Sequence, residues 1–142
     1  MKRKETQSSR AAAKAGKEVF RAERILVPLD FSDASRTALR YADSLAKQSG
    51  GKLVLFYALE PVGTPDFAYH PLVMEPKQAE ASARLQLDKM CLEEGVSETR
   101  ISETIAHSGG VAHAQITDMA EKLGMDLIVI ATHGNTGLKH VL

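Results

Sequence analysis

The chain has 142 residues, enough for one domain with a hydrophobic core and too few for two. Charged residues make up 25% and hydrophobic residues 44%, values typical of a soluble globular protein. The formal net charge is zero, but residues 1–24 carry eight Lys or Arg against three Asp or Glu, and the remainder carries ten against fifteen. A body with a net charge of −5 argues against nucleic-acid binding, since the excess of basic residues is confined to a tail.

The cysteine and apolar content bear on where the protein works. Cys91 is the single cysteine and has no partner for an internal disulfide, which favours a reducing compartment, the cytoplasm. No apolar run approaches the ~18 residues of a membrane span, so no membrane partner is expected. The basic N-terminus lacks the apolar segment of a secretory signal. Its resemblance to a transit peptide is weak, because three glutamates interrupt it.

The predicted elements begin after an N-terminal extension. Residues 1–23 are predicted to be a flexible basic arm, either solvated or bound to a partner, and residues 24–142 are predicted to be the folded domain. Residues 24–29 form a first strand whose continuous apolarity indicates cover on both faces. Pro28 cannot donate to a strand ladder, so the strand should end there, which places Asp30 at its carboxyl end.

Helices and strands then alternate. Ser32 is predicted to cap a helix that ends at the Gly50-Gly51 pair, and Lys52–Leu59 reads as a second buried strand. A proline-rich connection leads to a second helix over Lys77–Glu94. The third strand, Arg100–His107, has mixed polarity typical of a sheet edge. Its predicted alternation puts one set of side chains on one face: Ile101, Glu103, Ile105 and His107.

The last helix and strand complete the pattern. The third helix has an apolar stripe at helical spacing, formed by Ala112, Ile116, Met119, Ala120 and Leu123. The run Leu127–Ile130 predicts a fourth, buried strand, which breaks into a turn of small residues, Ala131–Gly134. The βαβα order predicts an α/β fold with a doubly wound, open parallel sheet of the Rossmann-like type. Ligands of such sheets bind at the carboxyl ends of strands, where Asp30 and the turn both lie.

The turn alone is weak evidence of a phosphate site. Backbone N–H groups at the start of a helix do bind phosphate. However, the chain lacks the two commonest phosphate-binding fingerprints, and the turn is also explained as an ordinary strand-to-helix connection that uses glycine for backbone freedom. A receiver domain would need more carboxylates around Asp30 than Asp33 provides. The five histidines show no metal-binding spacing, so no metal site is predicted, and Cys91 is assigned to the core.

Two stretches carry a family resemblance. ILVPLDFSDAS near the start and DLIVIATHGNTGLKHVL at the end resemble the two signature stretches of the universal stress protein family, nucleotide-binding branch. The resemblance implies ATP as the cofactor, with any Mg²⁺ held mainly by the phosphates. It implies that Asp30 faces the nucleotide with Pro28 beside it, and that Ala58 lines the adenine. The turn from Ala131 through His133 to Gly134 would cradle the ribose and phosphates.

The family pattern Gly-2x-Gly-9x-Gly-Ser/Thr is only partly present. Ala131 stands at the first glycine, Gly134 at the second, and eight residues follow it. The final Gly-Ser/Thr and the fifth strand, which commonly forms the dimer contact, are missing. We therefore expect a chain truncated at its C-terminus.

The resemblance implies a cytoplasmic stress-response regulator that binds an adenine nucleotide and forms a homodimer when full length. The alternative is a dimerising interaction protein of the same fold that binds no nucleotide. Slow ATP hydrolysis is not favoured, because only Asp30 or His133 could serve as a general base.

Overall fold

The computed structural model describes residues 21–60 and 75–132. Strands and helices alternate through these residues: β1 (Arg24–Pro28), α1 (Asp33–Ser49), β2 (Lys52–Leu59), α2 (Pro76–Glu93), β3 (Ile101–Ser108), α3 (Ala112–Lys122) and β4 (Leu127–Ile128). A 3₁₀ turn, Glu98–Arg100, precedes β3. The predicted order and the α/β class are confirmed, and β1 ends at Pro28, as the missing N–H of proline required.

The described strands form one parallel sheet in the order β3-β2-β1-β4. The chain moves outward from β1 through β2 to β3 and then returns to the other side of β1 for β4. The strand order therefore reverses at β1, whose residue Leu26 pairs with Ile128. This reversal makes the fold doubly wound, and it puts the carboxyl ends of β1 and β4 side by side.

Helices cover both faces of the sheet, because alternate strand residues point to opposite sides. The first core cluster lies under α1 and α2 and consists of Ala22, Ile25, Val27, Leu29, Leu39, Ala42, Ala46, Leu53, Leu55, Leu87, Met90, Cys91 and Val96. The second core cluster is Leu26, Val54 and Phe56, against which the apolar stripe of α3 packs. Cys91 is 3% exposed, which confirms its assignment to the core.

A bulge in β3 corrects the predicted alternation of that strand. Leu53 pairs with Ile101, but the next residue of β2, Val54, pairs with Glu103, so β3 contains one extra residue at this point. An extra residue moves every following side chain to the other face. Ile101 therefore packs against the first core cluster, whereas Ile105 packs against the second. The prediction that both isoleucines share a face is wrong.

The predicted burial of the fourth strand is also wrong. The ladder covers only Leu127–Ile128, although the N–H of Val129 still donates to the carbonyl of Leu26 at 2.9 Å. Leu127 and Val129 pack on the first core cluster. Ile128 and Ile130 point to the other face and are 36% and 51% exposed. Among the described residues, α3 covers Leu26 but neither isoleucine.

Candidate functional site

Four of the predicted site residues lie along one edge of the sheet. Pro28 is the last residue of β1, and Asp30 follows two residues later. Ala58 is the penultimate residue of β2, and Ala131 lies three residues beyond β4. Because the strands are parallel and β1 lies between β2 and β4, all four lie at the carboxyl edge. His133 and Gly134 lie outside the described residues, so their predicted place in the turn stays a prediction.

Asp30 is half-buried, and its carboxylate is held by the residue that caps α1. Its Oδ1 accepts hydrogen bonds from the backbone N–H of Ser32 at 3.0 Å and from the Ser32 hydroxyl at 2.5 Å. The same Ser32 Oγ accepts from the N–H of Ser35 at 3.1 Å, which is the capping bond predicted from the sequence. The carboxylate thus lies at the N-terminus of α1, where the helix dipole favours negative charge.

The residue between Asp30 and Ser32 has an unusual backbone conformation. Phe31 has φ 65°, which places a bulky side chain in the left-handed region. Its ring packs on Tyr57 of β2, with ring centroids 4.8 Å apart and planes at 44°. Both rings also pack against the first core cluster. The amino-acid sequence does not predict this pair, because neither residue type indicates a left-handed backbone or a contact between the ends of two neighbouring strands.

The electrostatic surroundings keep Tyr57 protonated. Burial raises the pKa of its hydroxyl, and the negative charges of Asp30 and Glu60 raise that pKa further. The carboxylate of Asp30 is thus the fixed polar group that this edge offers to the hydroxyls or ring nitrogens of a polar ligand.

A second set of contacts ties the end of β2 to the start of α3. The Glu60 carboxylate accepts from the backbone N–H of Ala112 at 2.7 Å, which caps a helix whose own N-cap residue provides no side-chain acceptor. Gln115 donates from Nε2 to the carbonyls of Leu59, at 3.1 Å, and Gly110, at 2.8 Å. Gln115 is 4% exposed, and its Oε1 has no hydrogen-bond partner among the described residues. Nothing in the local sequence pattern indicates either contact.

Within residues 21–60 and 75–132, no group of three His, Cys, Asp or Glu side chains is placed to hold a metal ion. In the same part of the chain, no helix is long and apolar enough to cross a membrane.

Comparisons with known proteins agree on one family. A family model described as the Universal stress protein family matches residues 21–142. The universal stress protein MJ0531 of Methanocaldococcus jannaschii is 33% identical over 125 residues, covering 84% of this chain and 70% of that protein. The structure of universal stress protein UspA from Lactobacillus plantarum aligns with a TM-score of 0.61 at 26% identity, covering 85% and 84%. A universal stress protein solved in complex with cAMP aligns with a TM-score of 0.53 at 20% identity, covering 77% and 72%.

Proposed function

The chain belongs to the universal stress protein family, and on that premise we propose that it binds ATP or a related adenine nucleotide at the carboxyl edge of the sheet. Occupancy of that site would regulate its interactions in a stress response. The observation that carries the proposal is the Asp30 carboxylate, which Ser32 fixes at the point where the strand order reverses. The cAMP complex of a structural relative supports the ligand class.

Each predicted residue has a role in this proposal. The Asp30 carboxylate accepts hydrogen bonds from the nucleoside, and Pro28 ends β1 beside it. Ala58 faces the same side as the second core cluster and forms a small wall for the adenine. Ala131, with His133 and Gly134, surrounds the ribose and phosphates. Any Mg²⁺ would be held mainly by the phosphates of the nucleotide.

A second candidate function uses the exposed isoleucines at the end of β4. Ile128, the last residue of that strand, and Ile130, two residues further on, are both exposed apolar residues. Exposed apolar surface of this kind is typical of interaction sites. The alternative is therefore a dimerising interaction protein that binds no nucleotide and works in the cytoplasm. Ala131, which replaces the first glycine of the family pattern, favours this alternative.

Titration calorimetry with ATP, ADP, cAMP and GTP separates the two functions. Asp30→Asn keeps the shape of the side chain but removes its charge, and it should weaken ATP binding about tenfold or more. Asp33→Asn is the matched control, because it removes a carboxylate from the exposed first turn of α1. Gly134→Val should also weaken binding, since a β-branched residue resists unusual φ and blocks close approach of the ligand. If the wild-type chain binds none of these nucleotides, the proposed nucleotide-binding function is wrong, and the dimerising interaction protein remains as the candidate function.

A further inference from the structure

Phe31 is the one residue other than glycine with positive φ in the described part of the chain. The left-handed region is disfavoured for a bulky side chain, because Cβ comes close to the carbonyl oxygen. Such a conformation persists only where the surrounding structure holds it, and it clusters at ligand-binding sites. Phe31 directly follows Asp30, so its strain lies within the candidate site.

Contacts on both sides hold the strained residue. The N–H of Leu29 donates to the carbonyl of Phe56 at 2.9 Å, which anchors the chain just before the turn. Ser32 caps α1 and anchors the chain just after it. Between these anchors the Phe31 ring rests on Tyr57, with a centroid distance of 4.8 Å. The aromatic contact thus joins the turn to a side chain of β2, in addition to the packing of Phe31 on the first core cluster.

The left-handed residue lies between Asp30 and Ser32. Across it, the N–H and the hydroxyl of Ser32 both donate to Oδ1 of Asp30. We propose that Phe31 and Tyr57 are positioning residues for the nucleotide: Tyr57 holds Phe31 in its left-handed conformation, and Phe31 fixes the direction of the Asp30 carboxylate. This inference rests on the proposed function, since it assigns the strain to pre-orientation of the group that binds the nucleoside.

The first test changes Tyr57. Tyr57→Leu removes the ring, and Tyr57→Phe keeps it. Tyr41→Leu is the control, because Tyr41 is 64% exposed on α1, away from the edge. We expect Tyr57→Leu to weaken ATP binding about tenfold, whereas Tyr57→Phe and the control stay within about twofold of wild type. The amide proton of Ser32, observed by NMR without ligand, should move upfield in Tyr57→Leu alone, because its bond to the carboxylate is lost.

The second test isolates the backbone conformation. Phe31→Gly and Phe31→Ala both remove the ring, but only glycine adopts φ near 65° without strain. We expect the glycine variant to bind ATP more tightly than the alanine variant and to keep more of the downfield shift of the Ser32 amide. Equal affinities and equal shifts in these two variants would overturn the inference.

The readouts separate this inference from the function on which it rests. If Asp30→Asn weakens ATP binding while Tyr57→Leu changes neither affinity nor the Ser32 resonance, the nucleotide site stands and the positioning role is wrong. If the wild-type chain binds no nucleotide, the proposed function and the purpose assigned to the strain both fail. The Ser32 resonance of the ligand-free variants would then still report whether Tyr57 holds the turn.

Discussion

The hydroxyl of Ser32 donates to the Asp30 carboxylate across 2.5 Å, while its oxygen accepts from the N–H of Ser35 in the first turn of α1. One side chain therefore both begins a helix and fixes the acceptor of the candidate site. The two tasks are inseparable, since the capping geometry determines where the hydroxyl proton points. A change at Ser32 should lower stability and ligand affinity together.

Ser32→Ala should lower the free energy of unfolding by about 1 kcal/mol, the usual loss for an N-cap serine. ATP affinity should fall in the same variant, because Asp30 loses its hydroxyl donor. Ser44→Ala is the control, since its exposed hydroxyl donates only to the Arg40 carbonyl within α1. Urea unfolding and calorimetry measure both quantities. If both variants unfold at the same urea concentration, Ser32 is not the cap.

The buried carboxylate of Asp43 predicts an uneven response to the loss of its two partners. Asp43 is 5% exposed and accepts from Arg100 Nε at 2.5 Å and Lys47 Nζ at 2.6 Å. Arg100→Met should lower the free energy of unfolding by about 2–3 kcal/mol, because the buried Asp43 carboxylate then loses the less exposed of its two cationic partners. Lys47→Met should cost less than about 1 kcal/mol, since the Lys47 side chain is 51% exposed. Similar urea midpoints for the two variants would contradict this ranking.

Cys91 predicts a loss of stability at alkaline pH. Burial, with the charges of Asp88 and Asp43, raises the pKa of its thiol from 9.0 to about 11. Between these values the folded chain retains the proton and the unfolded chain releases it, so the free energy of unfolding decreases as pH rises. We expect about 1–3 kcal/mol of this decrease to disappear in Cys91→Ala. Urea unfolding at steps from pH 8 to 11 tests it, and parallel curves for the two proteins would refute it.

The contacts of the buried Gln115 amide predict that Gln115→Glu lowers stability to an extent that depends on pH. In Gln115→Glu a carboxylate would face the carbonyls of Leu59 and Gly110, which now accept from Nε2. We expect a loss of about 1–3 kcal/mol at pH 7, because two acceptors lose a donor and a charge is buried. Burial should raise the pKa of the new carboxyl, so acid should restore part of the stability relative to wild type. Gln78→Glu, at the exposed start of α2, is the control.

Replacing a side chain by alanine should lower the free energy of unfolding by different amounts on the two faces of β4. Leu127 packs on the first core cluster, whereas Ile130 is 51% exposed. Leu127→Ala should therefore lower the free energy of unfolding by about 1–2 kcal/mol more than Ile130→Ala does, since it removes apolar side-chain surface that is shielded from solvent. Urea unfolding of the two variants measures this difference. A larger loss in Ile130→Ala would show that another surface covers that face in solution.

Much of the fold was predictable because it depends on local periodicity. The stripe of α3 and the buried positions of α2 follow a period of 3.6 residues, which identifies the face that leaves water before any partner is known. The Ser32 cap is likewise local, since the bond reaches only three residues ahead. The carboxyl-end position of Asp30 follows from the end of the apolar run at Leu29. The truncation expected from the family pattern stays a prediction.

Tertiary structure alone decided the pairings. Two side chains that pack together can be far apart in the chain, as Phe31 and Tyr57 are, and periodicity carries no information about such partners. The same limit applies to the bulge in β3, which depends on how that strand pairs with β2. It applies also to the exposure of Ile128, which depends on what packs against its face of the sheet. The amino-acid sequence by itself determined which residues come to the carboxyl edge. Only the packing of β2 beside the end of β1 decided that Phe31 meets Tyr57 next to Asp30, because that contact joins segments that are distant in the chain.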